Sequence, residues 1–349
     1  MKSSTVRSLV LLFSFVLPLP LLSQKGDTDV KAGEGMRGES TAVHASDDTL
    51  FVPRSAFMYA DNPRYTFFGN TPRYETDIQA LPTIALGVGY ASLAVSLHII
   101  QTNAWWSGDR GSFHIVEDWE TVNQVDKCGH MYSGYMMSSL LSNMLMDCGF
   151  SQEPAVLIGS GMGLAYQTYV EVEDGFAKHW GFSPSDAYAN IAGAGFHVAQ
   201  YYVPFLQNFT PRWSYVPAEW VGDRTINERP RTFIDDYNSA TFWLAVNVNN
   251  LLPQSAESLW PDWLMLSVGY GIRNYGILDD TGAYLPLKSR FMIGLDYDWV
   301  KIIPESRIGI VNFLRQCLNN IRLPGPTLEF GPDGTQFRVL YPFKISVGF

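Results

Sequence analysis

The sequence predicts an α+β protein: an apolar bundle of about four helices followed by a small antiparallel β region with one amphipathic helix. Three observations predict it. Four long stretches contain no Asp, Glu, Lys or Arg, at 78–108, 128–146, 154–170 and 187–211. From about Thr241 the apolar period changes from helical to two, and near the C-terminus one segment returns to helical spacing.

Composition sets the outer limits. Of 349 residues, 46% are apolar, 17% charged and 14% aromatic, which excludes a disordered chain. With 24 basic against 34 acidic residues and no basic runs, nucleic acid is excluded as a partner; membrane lipid or envelope proteins are the expected ones. No cofactor motif is present, so no cofactor is expected.

The chain opens as an address. Lys2 and Arg7 precede the apolar run Leu9 to Leu22, and Ser23 offers a small residue before a cut. This pattern predicts a signal peptide over 1–23 and export to the periplasm or outer membrane of a Gram-negative bacterium. Because no Cys follows the run, the expected mature N-terminus is free of lipid. Losing Lys2 and Arg7 makes a chain of formal charge −10 more acidic still. Residues 24–50 read as a flexible leader, 51–215 as the helical bundle and 216–349 as the strand-rich region. Three cysteines, Cys128, Cys148 and Cys317, are too few for a disulfide framework. Cys128 and Cys148 on one helix would stand about 30 Å apart and cannot bond.

Each charge-free stretch is long enough for a helix of membrane-spanning length, about 17–25 residues. The first, Leu81 to Ile100, is the most apolar, and Trp105 and Trp106 at its exit suit either an interfacial anchor or a core. His98 within it reads as a hydrogen-bonded interior residue, whereas His114 and His179 read as solvated loop residues. Gly159 and Gly163 form a G-x-x-x-G spacing that permits close helix approach.

In the β region, Leu244, Val246 and Val248 alternate with Asn247 and Asn249, and Phe291, Ile293, Leu295, Tyr297 and Trp299 alternate with Gly294, Asp296 and Asp298. Both read as half-buried strands, with shorter candidates at Trp263 to Tyr275 and Leu328 to Phe330. Ile308, Val311, Leu314, Leu318 and Ile321 mark the amphipathic helix, stopped by Pro324. The last segment alternates from Phe337 to Phe349 like the closing strand of an outer-membrane barrel. Five or six strands are nevertheless fewer than the minimum of about 8 for such a barrel.

Polar residues cluster at the ends of the charge-free helices, where burial is expensive. Asp126 and His130 lie four apart, on one helical face, with Lys127 beside them. The third stretch runs into Glu171, Glu173 and Asp174 at a helix C-terminus, where the dipole disfavours negative charge; Lys127 is the candidate that compensates them. The fourth begins with Ser183 or Ser185 as cap and places Asp186, Asn190, Gly193 and His197 on one stripe.

These motifs, D-K-x-x-H, then E-x-x-D, then S-x-x-D-x-x-x-N-x-x-G, resemble the uncharacterised family of predicted periplasmic proteins that includes the enterobacterial lipoprotein YfiM. The same order is similar to that of the VanZ family of integral membrane proteins. The matching positions are Asp126, Lys127, His130, Glu171, Asp174, Ser183, Asp186, Asn190 and Gly193. The sheet region, with Arg290 to Asp298 and Ile321 to Pro326, resembles longer YfiM-like members. Two departures stand out: the lipoprotein Cys is missing, and Val170 occupies a position that often holds Lys. Neither resemblance implies a defined reaction.

Three readings of the constellation remain open. In the first, Asp126, Lys127, His130, Glu171, Asp186 and Asn190 form a structural network that fixes helix register. The second is an enzyme acting on an envelope lipid or glycan, with His130 as general base oriented by Asp126, or with a carboxylate of raised pKa such as Glu171 in that role. The third is a metal site on His130 with Glu171, Asp174 or Asp186, which would be carboxylate-heavy for zinc.

Overall fold

The computed structural model describes residues 50–104, 106–108, 110–223 and 233–345. The segments read as signal peptide and leader, up to Thr49, together with Trp105, Val347 and Phe349, therefore lie outside the described residues. The described residues from Phe51 onward form one compact unit. Its architecture is α+β, as expected: a helical bundle and an antiparallel sheet.

A two-stranded hairpin, β1 (Met58–Tyr59) with β2 (Asn62–Pro63), leads in. Four long helices follow: α1 (Ala80–Thr102), α2 (Val125–Asp147), α3 (Gln152–Phe176) and α4 (Pro184–Tyr202). Each starts within or just before a charge-free stretch, because only there can a helix bury several faces without stranding a charge. The contacts among α2, α3 and α4 depend on small residues. A Cβ at Gly193 would sit 2.0 Å from the Met131 carbonyl oxygen, and one at Gly159 would sit 2.5 Å from the Ser142 nitrogen. Glycine thus lets α3 and α4 lie directly on the α2 backbone. Ser138 and Ser142, which face this seam, return their hydroxyls to Gly134 and Ser138 carbonyls, so no hydroxyl proton is stranded there.

The first helix behaves differently. It is long and apolar enough to cross a membrane, and none of its most apolar window is buried. Tyr90, Ala94 and Leu97 pack against Tyr166 and Val170, while Leu81, Ile84, Val88, Val95 and Ile99 are exposed. His98 meets its expectation as a bonded residue, 2.5 Å from the Tyr169 hydroxyl.

The sheet is a six-stranded antiparallel meander: β3 (Phe209–Tyr215), β4 (Ala240–Val246), β5 (Leu264–Arg273), β6 (Lys288–Tyr297), β7 (Gly325–Gly331) and β8 (Gly334–Tyr341). It begins at Phe209, well before Thr241. The last part of a stretch taken as helical is a strand, since α4 ends at Tyr202 and Pro204 opens a short 3-10 turn. Two strand expectations also shorten. Val248 lies in a helical turn, α5 (Val248–Leu251), capped by Asn247, and Trp299 lies in α6 (Trp299–Ile302), capped by Asp298. The amphipathic helix is α7 (Gly309–Cys317), followed by a 3-10 turn that reaches Asn320, short of Pro324.

The larger departure concerns which face is inside. The polar and small residues of the alternating strands are buried: Arg212, Thr241, Ser267, Arg290, Asp296, Thr327 and Glu329. Their apolar neighbours face outward. Leu244, Val268, Ile293, Leu328 and Phe337 sit directly opposite one another across five strands, and all five are exposed. Beside this row runs a second, Phe242, Tyr270, Phe291 and Phe330. Alternation with period two defines two faces but not which one is covered. The sheet curls so that β4 meets β8 across its concave side, with Trp243 and Tyr341 ring centroids 5.4 Å apart and Thr241 Oγ1 3.0 Å from the Tyr341 hydroxyl. Along the β3 edge runs the backbone of Ile321 and Arg322, whose amide donates to the Trp213 carbonyl at 3.0 Å. The arrangement has the polarity of an outer-membrane barrel; among the described residues it has six strands, and β3 does not pair with β8.

α2 joins the two halves. Tyr132 lies against Trp213 and Phe242, and the Tyr270 hydroxyl donates to the Asn123 carbonyl just before the helix.

Candidate functional site

The turn into α2 is strained. Val122, Asn123 and Gln124 all have positive φ, at 53°, 47° and 61°, and none is glycine. For a β-branched residue such as Val122 this conformation costs roughly 1–2 kcal/mol. It persists because Val122 is buried with Val125 and Ile272, and because the Asn123 amide donates to Ser289 Oγ at 2.8 Å. Strain of this kind is held where the surrounding structure fixes a site. Here it aims the first turn of α2, carrying Asp126, Lys127 and His130, at α3 and α4.

Lys127 is the hub. Its ammonium lies 2.6 Å from Asp118, 2.7 Å from Asp186 and 3.1 Å from Asp126, and the residue is buried. This corrects the sequence expectation, in which Lys127 compensates the cluster at the end of α3. Those three carboxylates are met separately. Glu173 pairs with Arg110 at 2.7 Å, Asp174 accepts from the Trp106 indole at 2.5 Å, and Glu171 faces His130. Trp106 is thus a buried donor and not an interfacial anchor.

His130 occupies the centre of the carboxylates. Nε2 stands 3.7 Å from both Asp126 and Asp186, while Nδ1 is 3.4 Å from Glu171 and 3.2 Å from Asn190 Oδ1. The Tyr237 hydroxyl, from outside the bundle, donates to Asp126. Asp118 also accepts from Ser183 Oγ at 2.5 Å and Ser185 Oγ at 3.2 Å, tying the cap of α4 to the loop before α2. The Ser183 hydroxyl in turn caps α4 by accepting from the Asp186 amide.

Six sequence candidates therefore converge: Asp126, Lys127, His130, Glu171, Asp186 and Asn190. Asp174 turns to Trp106, and His197, on the same stripe of α4, reaches Ser142 at 3.2 Å. Asp118 and Tyr237 were not foreseen. Both arrive from segments whose approach no local spacing reveals.

Burial governs the electrostatics. It pushes the Glu171 carboxyl up to about 8, Asp174 up to about 7 and Asp186 up to about 6. It acts the same way on Asp126, but the charges of His130 and Lys127 outweigh it and hold that carboxyl below its ordinary value. Burial disfavours charge on His130 as well, yet Asp126, Asp186 and Glu171 together raise its proton affinity. The result is a set of carboxyls that exchange protons near neutrality around an imidazole that holds its proton more tightly than usual, the property an acid–base centre needs. Hydrogen bonding is incomplete: the Asn190 amide nitrogen and Glu171 Oε1 are buried without a hydrogen-bond partner.

Asp126, His130 and Asp186 each offer one ligand atom within 4.8 Å of the others, enough to hold a metal ion. Lys127 already supplies positive charge to both carboxylates, so a cation there competes with an ammonium 2.7 Å from Asp186.

The cysteines are free: Cys128 in α2, Cys148 at its end and Cys317 at the end of α7. His114 contacts the Ser112 carbonyl and His179 is exposed; neither approaches the centre.

Residues 116–202 match a family model described as a predicted periplasmic lipoprotein, DUF2279. The matched stretch runs from just before Asp118 to the end of α4, so it contains every member of the polar centre except Tyr237. No curated protein and no solved structure matches the chain. The match agrees with the exported, periplasmic or outer-membrane location expected from the N-terminal pattern, and it is to a family of predicted periplasmic lipoproteins that the polar centre of this chain is similar.

Proposed function

We propose that this is an exported envelope protein seated in a lipid bilayer, with a structural or accessory role that depends on the buried polar centre. One observation carries the reading: charge is turned inward and apolar surface outward in both halves of the molecule. α1 leaves its apolar residues uncovered, and on the sheet the row from Leu244 to Phe337 does the same, with Phe291 and Phe330 beside it. Strands β5 and β6, at 10 residues each, have the length of membrane strands, about 9–11 residues. Trp263, Tyr297 and Trp299 gather at one end of β6, as in an interfacial girdle, and the Lys288–Asp333 ion pair lies at the other. Large uncovered apolar surface of this kind is uncommon in proteins surrounded by water. The motif likeness to the YfiM-like and VanZ families supports the same reading. Carbonate or urea washing of an envelope fraction tests it: the protein should stay with the membrane, and full release into the wash would sink the proposal.

A second reading is favoured by the raised carboxyls of Glu171 and Asp186 on either side of His130. It is an acid–base site acting on an envelope lipid or glycan, with His130 as base. A His130→Gln variant that melts like the wild type but loses the cellular phenotype would favour it over a structural network.

A further inference from the structure

About two helical turns farther along the α2–α4 seam lies a second polar space, unrelated to the centre around His130. It is a cavity of 70 Å³, lined by Tyr59, Arg64, Tyr135, His197, Gln207 and Asp298 among others. Such a volume holds several waters or one tetrahedral oxyanion.

Arg64 is the unusual member. The residue is 8% exposed, and its guanidinium packs against the rings of Phe57 at 5.3 Å and Tyr59 at 5.8 Å. Among the described residues no carboxylate forms an ion pair with it. Asp298, the acid on the lining, is committed elsewhere: it accepts from Asn62 Nδ2 at 2.6 Å, Asn319 Nδ2 at 2.8 Å and the Val300 amide at 3.1 Å. Burying a guanidinium with no anion against it is costly, so Arg64 lacks a counter-charge in contact at its own side of the cavity.

The phenols beside Arg64 suit an anion. The Tyr59 and Tyr135 hydroxyls are 3.3 Å apart; one donates to the other, which leaves one phenolic proton free to donate. Burial raises both phenols, so neither ionises near neutral pH. His197 is held neutral, its pKa depressed to about 3 by burial and by the Arg64 charge, so it adds no charge of its own; its one N–H is turned to Ser142 Oγ, whose own proton goes to the Ser138 carbonyl. The hairpin turn that closes one side is fixed in place. Gln207 accepts from the Ala60 amide at 3.0 Å and donates to the Gln200 carbonyl at 2.9 Å, and Asn250 donates to the Ala60 carbonyl at 3.2 Å.

We propose that this cavity binds a phosphate-type oxyanion, anchored by Arg64 and oriented by Tyr59 and Tyr135. A phosphate group is available in an envelope from two sources, free inorganic phosphate and the headgroup of a phospholipid. The guanidinium would pair with two of its oxygens and the phenol with a third.

The test uses the purified full chain in a neutral detergent, titrated by calorimetry with inorganic phosphate in one arm and with dihexanoyl phosphatidylglycerol in the other, at constant chloride. Saturable binding in the phosphate arm, weakened at least about tenfold by Arg64→Gln, supports the site with free phosphate as its ligand. Binding only in the lipid arm, with the same dependence on Arg64, supports the site with a headgroup as its ligand. Absence of binding in both arms, or binding unchanged by Arg64→Gln, overturns the proposal. Should Arg64→Gln fail to fold, Tyr59→Phe removes only a hydroxyl and should weaken binding about threefold; unchanged affinity in that variant overturns the proposal equally.

Discussion

Two regions of this protein bury charge, and they do so in opposite ways. Inside the curled sheet, Arg212 donates to Asp296 at 2.8 Å and to the Tyr297 carbonyl at 2.9 Å, Arg290 pairs with Glu329 at 3.0 Å, and Arg322 lies over the Trp243 ring at 3.8 Å. Cations match or exceed acids there, and guanidinium forks fix each acid in place. In the bundle, Lys127 and His130 face Asp118, Asp126, Glu171 and Asp186. Acids exceed bases, and part of the deficit is met by protons. The contrast separates a scaffold, in which pairing is permanent, from a centre whose charge state changes with pH.

Breaking the scaffold should have the largest effect. Arg212 is fully buried, so Arg212→Met leaves Asp296 short of its best partner and should lower unfolding stability by about 3–5 kcal/mol. Chemical denaturation of the purified protein measures this. Arg212→Met combined with Asp296→Leu should recover most of the loss, since a buried pair replaced by apolar groups of similar volume is often close to neutral. A double variant as unstable as the single would mean that the pair is itself a source of net stability.

Lys127→Met comes next. It leaves Asp118, Asp126 and Asp186 facing one another without the ammonium, at a cost of about 3 kcal/mol near neutral pH. In contrast to the scaffold variant, it should be relieved by acid. Asp186 already takes a proton at about 6, and loss of Lys127 moves that value higher. Thermal melts of Lys127→Met at pH 5 and pH 8 should therefore differ more than those of wild type. Equal differences would remove the centre's claim to be charge-labile.

How much of this contrast was legible in the sequence depends on range. The helices were legible because charge is withheld from them, and the meeting of Asp126 with His130 and of Asp186 with Asn190 follows from spacing of four along a helix. Asp118 was not legible, since its approach to Lys127 is set by three left-handed residues at Val122, Asn123 and Gln124, for which no local rule calls. Tyr237 enters from the far side of a loop. β3 was hidden because its first residues fall in the charge-free stretch 187–211, which reads as helical, and nothing local marks Arg212 as buried until its partner Asp296 is known. The polarity of the sheet failed for a different reason: an apolar alternating face is ordinarily the covered one. The clue was present in the complementary signs of Arg290, Asp296 and Glu329, the first two alternating with Phe291 and Ile293 on β6 and the third with Leu328 and Phe330 on β7.

The smallest effect, and the most diagnostic, is the pH dependence of the intact centre. Glu171 takes up its proton at about 8 in the folded protein and near 4.3 when unfolded, so between those values the native state holds the extra proton. Native proton uptake in excess makes stability fall as pH rises, by about 1.4 kcal/mol for each pH unit over which one whole proton separates the two states. Asp174, Asp186 and His130 act in the same direction, each being raised, and their contribution is likewise present at low pH and lost as pH climbs through the folded value. Asp126 opposes them only in acid: its lowered value gives stability that is present above about 4 and lost below. Wild-type stability should accordingly decline from about pH 5 to pH 8. Glu171→Gln, which keeps the shape and cannot ionise, should flatten that decline without abolishing the fold. A wild-type profile already flat across this range would show that the carboxyls around His130 are held as permanently as those of the sheet, and the comparison between the two regions would collapse.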